Sequence, residues 1–118
     1  MSAAKIAFVF AFTFAFVFSI LMHEYVHQMI YARYGVDSKI VPIPFGWATV
    51  GNETQIAELD EKDFREMEIL HLQNEIIAYN LQWFLAVLFI SLFFLFSELN
   101  DLKEEVRKIA KKMEENRI

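Results

Sequence analysis

The residues best suited to chemistry stand together at positions 23–27, which read HEYVH. His23 and His27 are four positions apart, so on a helix both imidazoles share one face and can reach one tetrahedral zinc ion. Glu24 would lie beside the metal, where a carboxylate can take a proton from metal-activated water and pass it to a leaving amine. The pattern therefore predicts peptide-bond hydrolysis with Glu24 as general base. The alternative is a chance match, expected in well under about 1% of chains of this length.

A catalytic zinc site needs a third protein ligand. Glu75 is the predicted ligand, because it precedes the second apolar segment, and antiparallel packing would bring it level with the HEYVH motif. The alternative is a solvated acid at a membrane interface. His71 and Tyr79 lie four positions before and after Glu75 on the same helix face, and either could donate a hydrogen bond to the tetrahedral intermediate. For His71, a surface position or a role in orienting a ligand is the alternative.

Two apolar segments must hold these residues in place. Residues 6–22 carry no charge, and residues 76–96 are interrupted only by two amides and one Ser. Each segment is long enough for a helix that crosses the hydrocarbon core. The 56% hydrophobic content also exceeds what a chain of 118 residues can bury in a soluble core. We therefore expect an integral membrane protein with spans at about residues 4–22 and 76–96, the alternative for the first being a cleaved signal peptide.

The distribution of charge predicts how the chain is oriented. Ten of the 16 acids lie between the two apolar segments, whereas seven of the 11 Lys and Arg residues lie in the N-terminus and the tail. By the positive-inside rule, both termini face the cytoplasm. The chain has no Cys, so a metal must be held by His and carboxylate.

The predicted fold class is an all-α membrane protein with two antiparallel transmembrane helices that extend beyond the bilayer. We expect the first helix to end at Gly35 as a left-handed C-cap, and the second to begin after Asp60 and run for about 50–55 residues. The connecting segment, residues 35–59, contains Pro42 and Pro44 among β-branched and aromatic residues, which favours an edge strand or an irregular hairpin. Together these parts form a predicted metallopeptidase-like domain, residues 1–97.

Residues 98–118 form a separate predicted tail. Apolar residues that alternate spacings of four and three predict the seam of a coiled coil: Leu95, Leu99, Leu102, Val106, Ile109 and Met113. In a parallel dimer Glu98 would attract Lys103, but Lys112 would repel Arg117. The alternative is a short amphipathic helix that lies on the lipid headgroups or on the rest of the chain.

The second helix carries a further pattern of the form Asn-Glu-x-x-Ala-Tyr-x-x-Gln, made by Asn74, Glu75, Ala78, Tyr79 and Gln82. Together with HExxH it resembles the gluzincin metallopeptidases. The resemblance covers the two helices and implies that a Glu of the second helix completes the zinc site.

Residues 23–46, HEYVHQMIYARYGVDSKIVPIPFG, also resemble site-2 proteases. In that family HExxH lies in a membrane helix and is followed by an element with Ala-Arg and Gly-Val and then by a strand-like segment. Its third ligand is an Asp in a Leu-Asp-Gly element, whereas here Leu59 and Asp60 are followed by Glu61. The two resemblances together favour a minimal membrane-embedded gluzincin with a site-2-protease-like first helix.

These patterns predict a zinc-dependent metalloendopeptidase that holds one Zn²⁺ on His23, His27 and Glu75. Its substrate would be a membrane protein or membrane-proximal peptide, extended along residues 40–50, where an edge strand could pair with the substrate backbone. The other expected partners are membrane lipid and a second copy of the chain through helices or tail; no nucleic acid is expected. The alternatives are a catalytically inert membrane adaptor that acts through its tail, or a small subunit of a larger membrane complex.

Overall fold

The computed structural model describes residues 2–117 and contains two long helices joined by a hairpin and a short helix. Met1 and Ile118, the outer ends of the predicted domain and tail, lie outside the described residues. The elements are α1 (Ala3–Arg33), β1 (Ser38–Ile43), β2 (Gly46–Gly51), α2 (Glu53–Ala57) and α3 (Glu61–Glu115). The mostly helical architecture with a small antiparallel hairpin between two long apolar helices agrees with the sequence-based expectation.

Helix α1 ends where the sequence predicts. Gly35 has a φ of 74°, and its N–H donates to the carbonyl of Ala32 at 3.0 Å. The N–H of Val36 then donates to the carbonyl of Tyr31 at 2.9 Å, and the Val36 side chain is buried. This is a Schellman motif, in which a residue without Cβ takes the left-handed conformation and the last carbonyls of the helix are satisfied.

The predicted hairpin is present as a two-stranded antiparallel sheet. Ile43 stands opposite Gly46, so Pro44 and Phe45 form a two-residue turn. Pro42 is tolerated in β1 because both strands of such a sheet are edge strands, where a missing N–H is acceptable.

The hairpin lies along the last turns of α1. At its base, Gly51 packs so closely on Tyr31 that an added Cβ would lie 2.7 Å from Cε1 of the ring. Further along β2, the Thr49 hydroxyl lies 2.9 Å from the carbonyl oxygen of Glu24. The second contact is seven residues nearer the start of α1, so the hairpin runs with its turn toward the apolar segment.

The second long helix begins as expected, but it is preceded by a short helix that was not expected from the sequence. The N–H of Asp63 donates to Oδ1 of Asp60 at 2.7 Å, which caps the start of α3. Helix α2 has the same kind of cap, with the N–H of Gln55 donating to Oδ1 of Asn52 at 3.0 Å. The 55 residues of α3 would span about 83 Å at 1.5 Å each, and the molecule measures 87 Å in its longest dimension. Helix α3 is therefore close to straight.

Helices α1 and α3 pack antiparallel through aromatic side chains. The ring of Phe89 stacks on Phe8 at 5.4 Å and on Phe12 at 3.9 Å between centroids, and the Lys5 ammonium lies 5.9 Å from the Phe93 ring. Both described ends of the chain consequently lie at one end of the helix pair. In the most apolar 18-residue stretch of each helix, 0% of the residues of α1 and 6% of those of α3 are buried. Both helices are long and apolar enough to cross a membrane.

Candidate metal centre

Three side chains of α1 and α3 converge at the end of the helix pair farthest from the chain termini. Oε1 of Glu75 lies 3.0 Å from Nε2 of His23 and 2.6 Å from Nε2 of His27, and the two Nε2 atoms are 3.0 Å apart. All three residues offer a ligand atom within 4.8 Å of the others. The structure thus brings together the three residues that the sequence predicts as metal ligands.

The donor set fits a divalent ion of the zinc type. Two imidazole nitrogens and a carboxylate oxygen directed at one point need a proton or a cation between them, since all three atoms can present lone pairs. Ligand atoms around a tetrahedral zinc, with bonds of about 2.0–2.1 Å, lie about 3.3 Å apart. The three atoms would have to separate by less than about 1 Å to accept the ion, and three protein ligands leave a fourth position for water or substrate.

Burial is concentrated at this site. Among the residues that the structure describes, the buried polar or charged ones are Glu24, which is 7% exposed, and His27, which is 8% exposed. In the described part of the chain the buried apolar residues are Val36, Met67 and Ala78, so burial lies around the site and at the start of the second apolar segment, and not along the rest of the two segments. A buried carboxylate and imidazole are costly unless they are paired, which calls for specific partners.

Glu24 has such a partner in the hairpin. The hydroxyl of Thr49 lies 2.6 Å from Oε2 of Glu24, as well as 2.9 Å from its carbonyl oxygen, and can donate to one of them at a time. Oε1 of Glu24 lies 3.6 Å from Nδ1 of His23, beyond hydrogen-bond distance. One carboxylate oxygen is therefore held by β2, and the other is left beside the metal ligands.

His27 is held from its other side by His71. Nδ1 of His27 lies 2.7 Å from Nδ1 of His71, and the ring of Tyr31 packs on His71 at 4.3 Å between centroids. If Nε2 of His27 binds metal, its Nδ1 carries the ring proton and donates to His71. His71 then carries its own proton on Nε2, which is buried and has no hydrogen-bond partner within residues 2–117. The contact supports the role of His71 in orienting a ligand.

The charge states of His71 and Glu75 fit these contacts with His27. Burial, followed by the charge of His27, lowers the pKa of His71 from 6.5 to about 4, so His71 is neutral near neutral pH. Burial acts to raise the pKa of Glu75, but the hydrogen bonds and charges of His27 and His23 outweigh it, and the pKa lies below its usual value. Glu75 is thus an anion and His71 a neutral acceptor.

A cavity of about 400 Å³ opens beside the convergence point. Glu24, His27 and Glu75 line it together with Ala48 and Thr49 of β2. The predicted general base Glu24, two of the three candidate ligands and an edge strand thus border the same space.

Not every predicted site residue lies in this cluster. Tyr79 is 59% exposed and does not line the cavity, and it makes no side-chain hydrogen bond in the described part of the chain. Conversely, Thr49 and Tyr31 contact the site but are not among the predicted site residues. The link from Asn74, whose Nδ2 donates to the carbonyl of His23 at 3.1 Å, is also unpredicted. Tyr31 could have been found, because it continues the four-residue spacing of His23 and His27. No sequence pattern pointed to Thr49, because its contact with Glu24 depends on how the hairpin packs on α1.

Comparisons with protein-family models, with curated proteins and with solved structures give no match to this chain. The resemblance to gluzincins and site-2 proteases therefore rests on the motif residues alone.

Proposed function

We propose that this protein is a membrane-embedded zinc metallopeptidase. The observation that carries the proposal is the convergence of His23, His27 and Glu75 within 3.0 Å of one another, with the buried carboxylate of Glu24 alongside. A zinc ion held there would act as a Lewis acid and would lower the pKa of a coordinated water to about 7.

Each neighbouring side chain has a role in this proposal. Glu24 accepts the proton of the attacking water on the oxygen that Thr49 does not hold, and then donates it to the leaving amine. His71 keeps the imidazole of His27 in the tautomer and orientation that a ligand needs. Asn74 ties α3 to the backbone of His23, which keeps the two helices in register at the site.

The substrate is proposed to be an extended segment of a membrane protein or a membrane-proximal peptide. Ala48 and Thr49 line the cavity, and each strand of a two-stranded sheet has one edge without a strand partner. A substrate backbone can pair with such an edge and lie across the candidate metal position. The apolar segment of α1 ends next to the site and that of α3 begins there, which favours substrates that reach the site from the lipid.

The chain is proposed to cross the membrane twice. Because both described chain ends lie at one end of the helix pair, they would face the same side, and the positive-inside rule assigns that side to the cytoplasm. The candidate metal centre would then lie at the opposite membrane boundary.

The decisive experiment measures metal and hydrolysis on the same preparation. Full-length protein purified in detergent is expected to carry about one zinc per chain and to cleave an internally quenched peptide library presented in mixed micelles. Glu75→Ala should lose both the metal and the cleavage. The matched control is Glu66→Ala, which removes an exposed carboxylate of α3 that does not line the cavity and should keep both. Protein that binds no zinc would instead favour an adaptor or a subunit without catalysis.

A further inference from the structure

A second cavity lies at the end of the helix pair farthest from the candidate metal centre. It has a volume of about 250 Å³ and is enclosed by the start of α1 and by the part of α3 where the apolar segment ends. Its polar lining is Ser2, Lys5, Asn100 and Lys103, and its apolar lining includes Phe96 and Leu99. The cavity therefore combines two cationic side chains with an apolar wall.

No acidic side chain neutralises these two lysines. Within residues 2–117, neither the Lys5 nor the Lys103 ammonium belongs to an ion pair. Helix α1 carries no acid before Glu24, which lies at the other end of the helix pair. Any neutralising group on the protein would thus have to come from α3.

The acids of α3 point elsewhere. The helix has 3.6 residues per turn, so Glu98, Asp101 and Glu105 fall on the face opposite Lys103, and Glu104 falls about a quarter of a turn away from it. None of these four acids lines the cavity. The cavity therefore keeps an excess of positive charge, although the chain as a whole is acidic.

The backbone of α1 adds to this positive charge. The Ser2 hydroxyl oxygen accepts a hydrogen bond from the N–H of Lys5 at 3.3 Å, and the first turn of the helix contains no acid. The first N–H groups of a helix lack partners within the helix and carry a partial positive charge, which favours a nearby anion.

The position of Lys5 calls for a partner that belongs to the membrane. Its ammonium lies 5.9 Å from the ring of Phe93, which is part of the apolar segment of α3. If the chain crosses the membrane as proposed above, Lys5 stands at the edge of the hydrocarbon core, where a cation without a counter-charge is costly. The phosphate of a lipid lies at the same depth and would remove that cost.

We propose that this cavity binds the headgroup of an anionic phospholipid of the cytoplasmic leaflet, with Lys5 and Lys103 on the phosphate. Asn100 can donate a further hydrogen bond to a headgroup oxygen, and Phe96 and Leu99 pack on the adjoining acyl carbons. Basic cavities between transmembrane helices on the cytoplasmic side recognise anionic lipids in this way. The inference rests on the proposed membrane crossing and not on zinc or hydrolysis.

Native mass spectrometry of the full-length chain in a neutral detergent tests the proposal. Phosphatidylglycerol and phosphatidylcholine with the same acyl chains are added separately, and the bound lipid is counted. The chain is expected to retain one phosphatidylglycerol in preference to phosphatidylcholine. Lys5→Gln and Lys103→Gln should each weaken that binding about fivefold, and Lys103→Arg should keep it. Equal retention of the two lipids would overturn the proposal.

A double variant separates the cavity from net charge. Lys103→Gln combined with Asp101→Asn has the net charge of the unsubstituted chain, but the restored charge lies on the opposite face of α3. It should bind phosphatidylglycerol as weakly as Lys103→Gln alone. Recovery of binding would show general attraction between the lipid and the tail, and the proposed site would be wrong.

Free phosphate is the other source of the same chemistry. Sodium phosphate should displace the lipid no more than sodium chloride of equal ionic strength, because a free ion lacks the acyl carbons that pack on Phe96 and Leu99. Greater displacement would show a site for the free ion and contradict the lipid. Carbonate extraction of membranes tests the membrane crossing by itself. Zinc content and peptide cleavage are also measured separately, so equal retention of the two lipids would leave the proposed peptidase untouched.

Discussion

His71 and Glu75, one turn apart on α3, contact opposite nitrogens of the same imidazole: Nδ1 of His71 lies 2.7 Å from Nδ1 of His27, and Oε1 of Glu75 lies 2.6 Å from its Nε2. His71 and Glu75, four residues apart on α3, thus contact residues that are four apart on α1. The two side chains have different roles, because of the two only Glu75 reaches the point where the Nε2 atoms of His23 and His27 converge. In the proposed metal site, His71 would act through His27.

This relationship predicts unequal effects on zinc affinity. Glu75→Ala should cause a steep loss, because it removes a ligand and leaves two imidazoles. His71→Ala should weaken zinc binding by about 10–100-fold, the usual cost of losing the hydrogen-bond partner of a metal-bound His. Competition with a chelator of known affinity measures both. Equal losses would indicate four protein ligands and a closed structural site, and the peptidase proposal would fail with that result.

The shared helix face of His23 and His27 and the helix boundaries could be predicted from sequence because they depend on local rules. His23 and His27 share a face through helix periodicity, and Gly35 and Asp60 mark helix ends through their own backbone and side-chain preferences. The placement of Glu75 needed one additional assumption, antiparallel packing. The partner of Glu24 could not be predicted, because Thr49 reaches it only when Gly51 allows the hairpin to pack on Tyr31.

The contact between Thr49 and Glu24 leads to a second prediction, on catalysis. Glu24→Gln should keep zinc and reduce hydrolysis by about 10²–10⁴-fold, because the amide cannot accept the proton of water. Thr49→Val, which keeps the shape of the side chain and removes the hydroxyl, should also keep zinc and should lower kcat while leaving KM nearly unchanged. Metal content and steady-state kinetics on a quenched peptide measure these effects. If Glu24→Gln lost zinc as readily as His23→Ala, Glu24 would be a ligand and not the base.

A third prediction concerns the stability of the metal-free protein at low pH. His71 has a pKa of about 4 in the folded chain and 6.5 as its ordinary value. Between these values the unfolded chain binds more protons at this position, so the free energy of unfolding should fall as pH drops from about 6.5 toward 4. Thermal unfolding in detergent and chelator, followed by circular dichroism, measures the slope. His71→Gln should flatten it over this window, and an unchanged slope in that variant would exclude His71 as its source.

The last prediction places the tip of the hairpin in lipid. The contacts of Gly51 with Tyr31 and of Thr49 with Glu24 direct the turn toward the apolar segment of α1, and Phe45 at the turn is fully exposed. Leaving such a side chain in water forfeits about 1.5–3 kcal/mol relative to burial, and a membrane boundary beside the site would remove that cost.

Trp47 lies two residues beyond Phe45 and is one of two Trp residues, so it can report on this position. In a Trp83→Phe variant in vesicles, the fluorescence of Trp47 should be quenched by lipids brominated near the headgroup and protected from acrylamide in water. The matched control is Trp47→Phe, in which Trp83 of the apolar segment of α3 reports the quenching expected for a residue within the bilayer. If acrylamide quenched Trp47 freely and brominated lipids did not, the hairpin would stand in water. A substrate would then reach β2 from the aqueous side, and membrane-proximal peptides, not membrane-embedded segments, would be the fitting substrates.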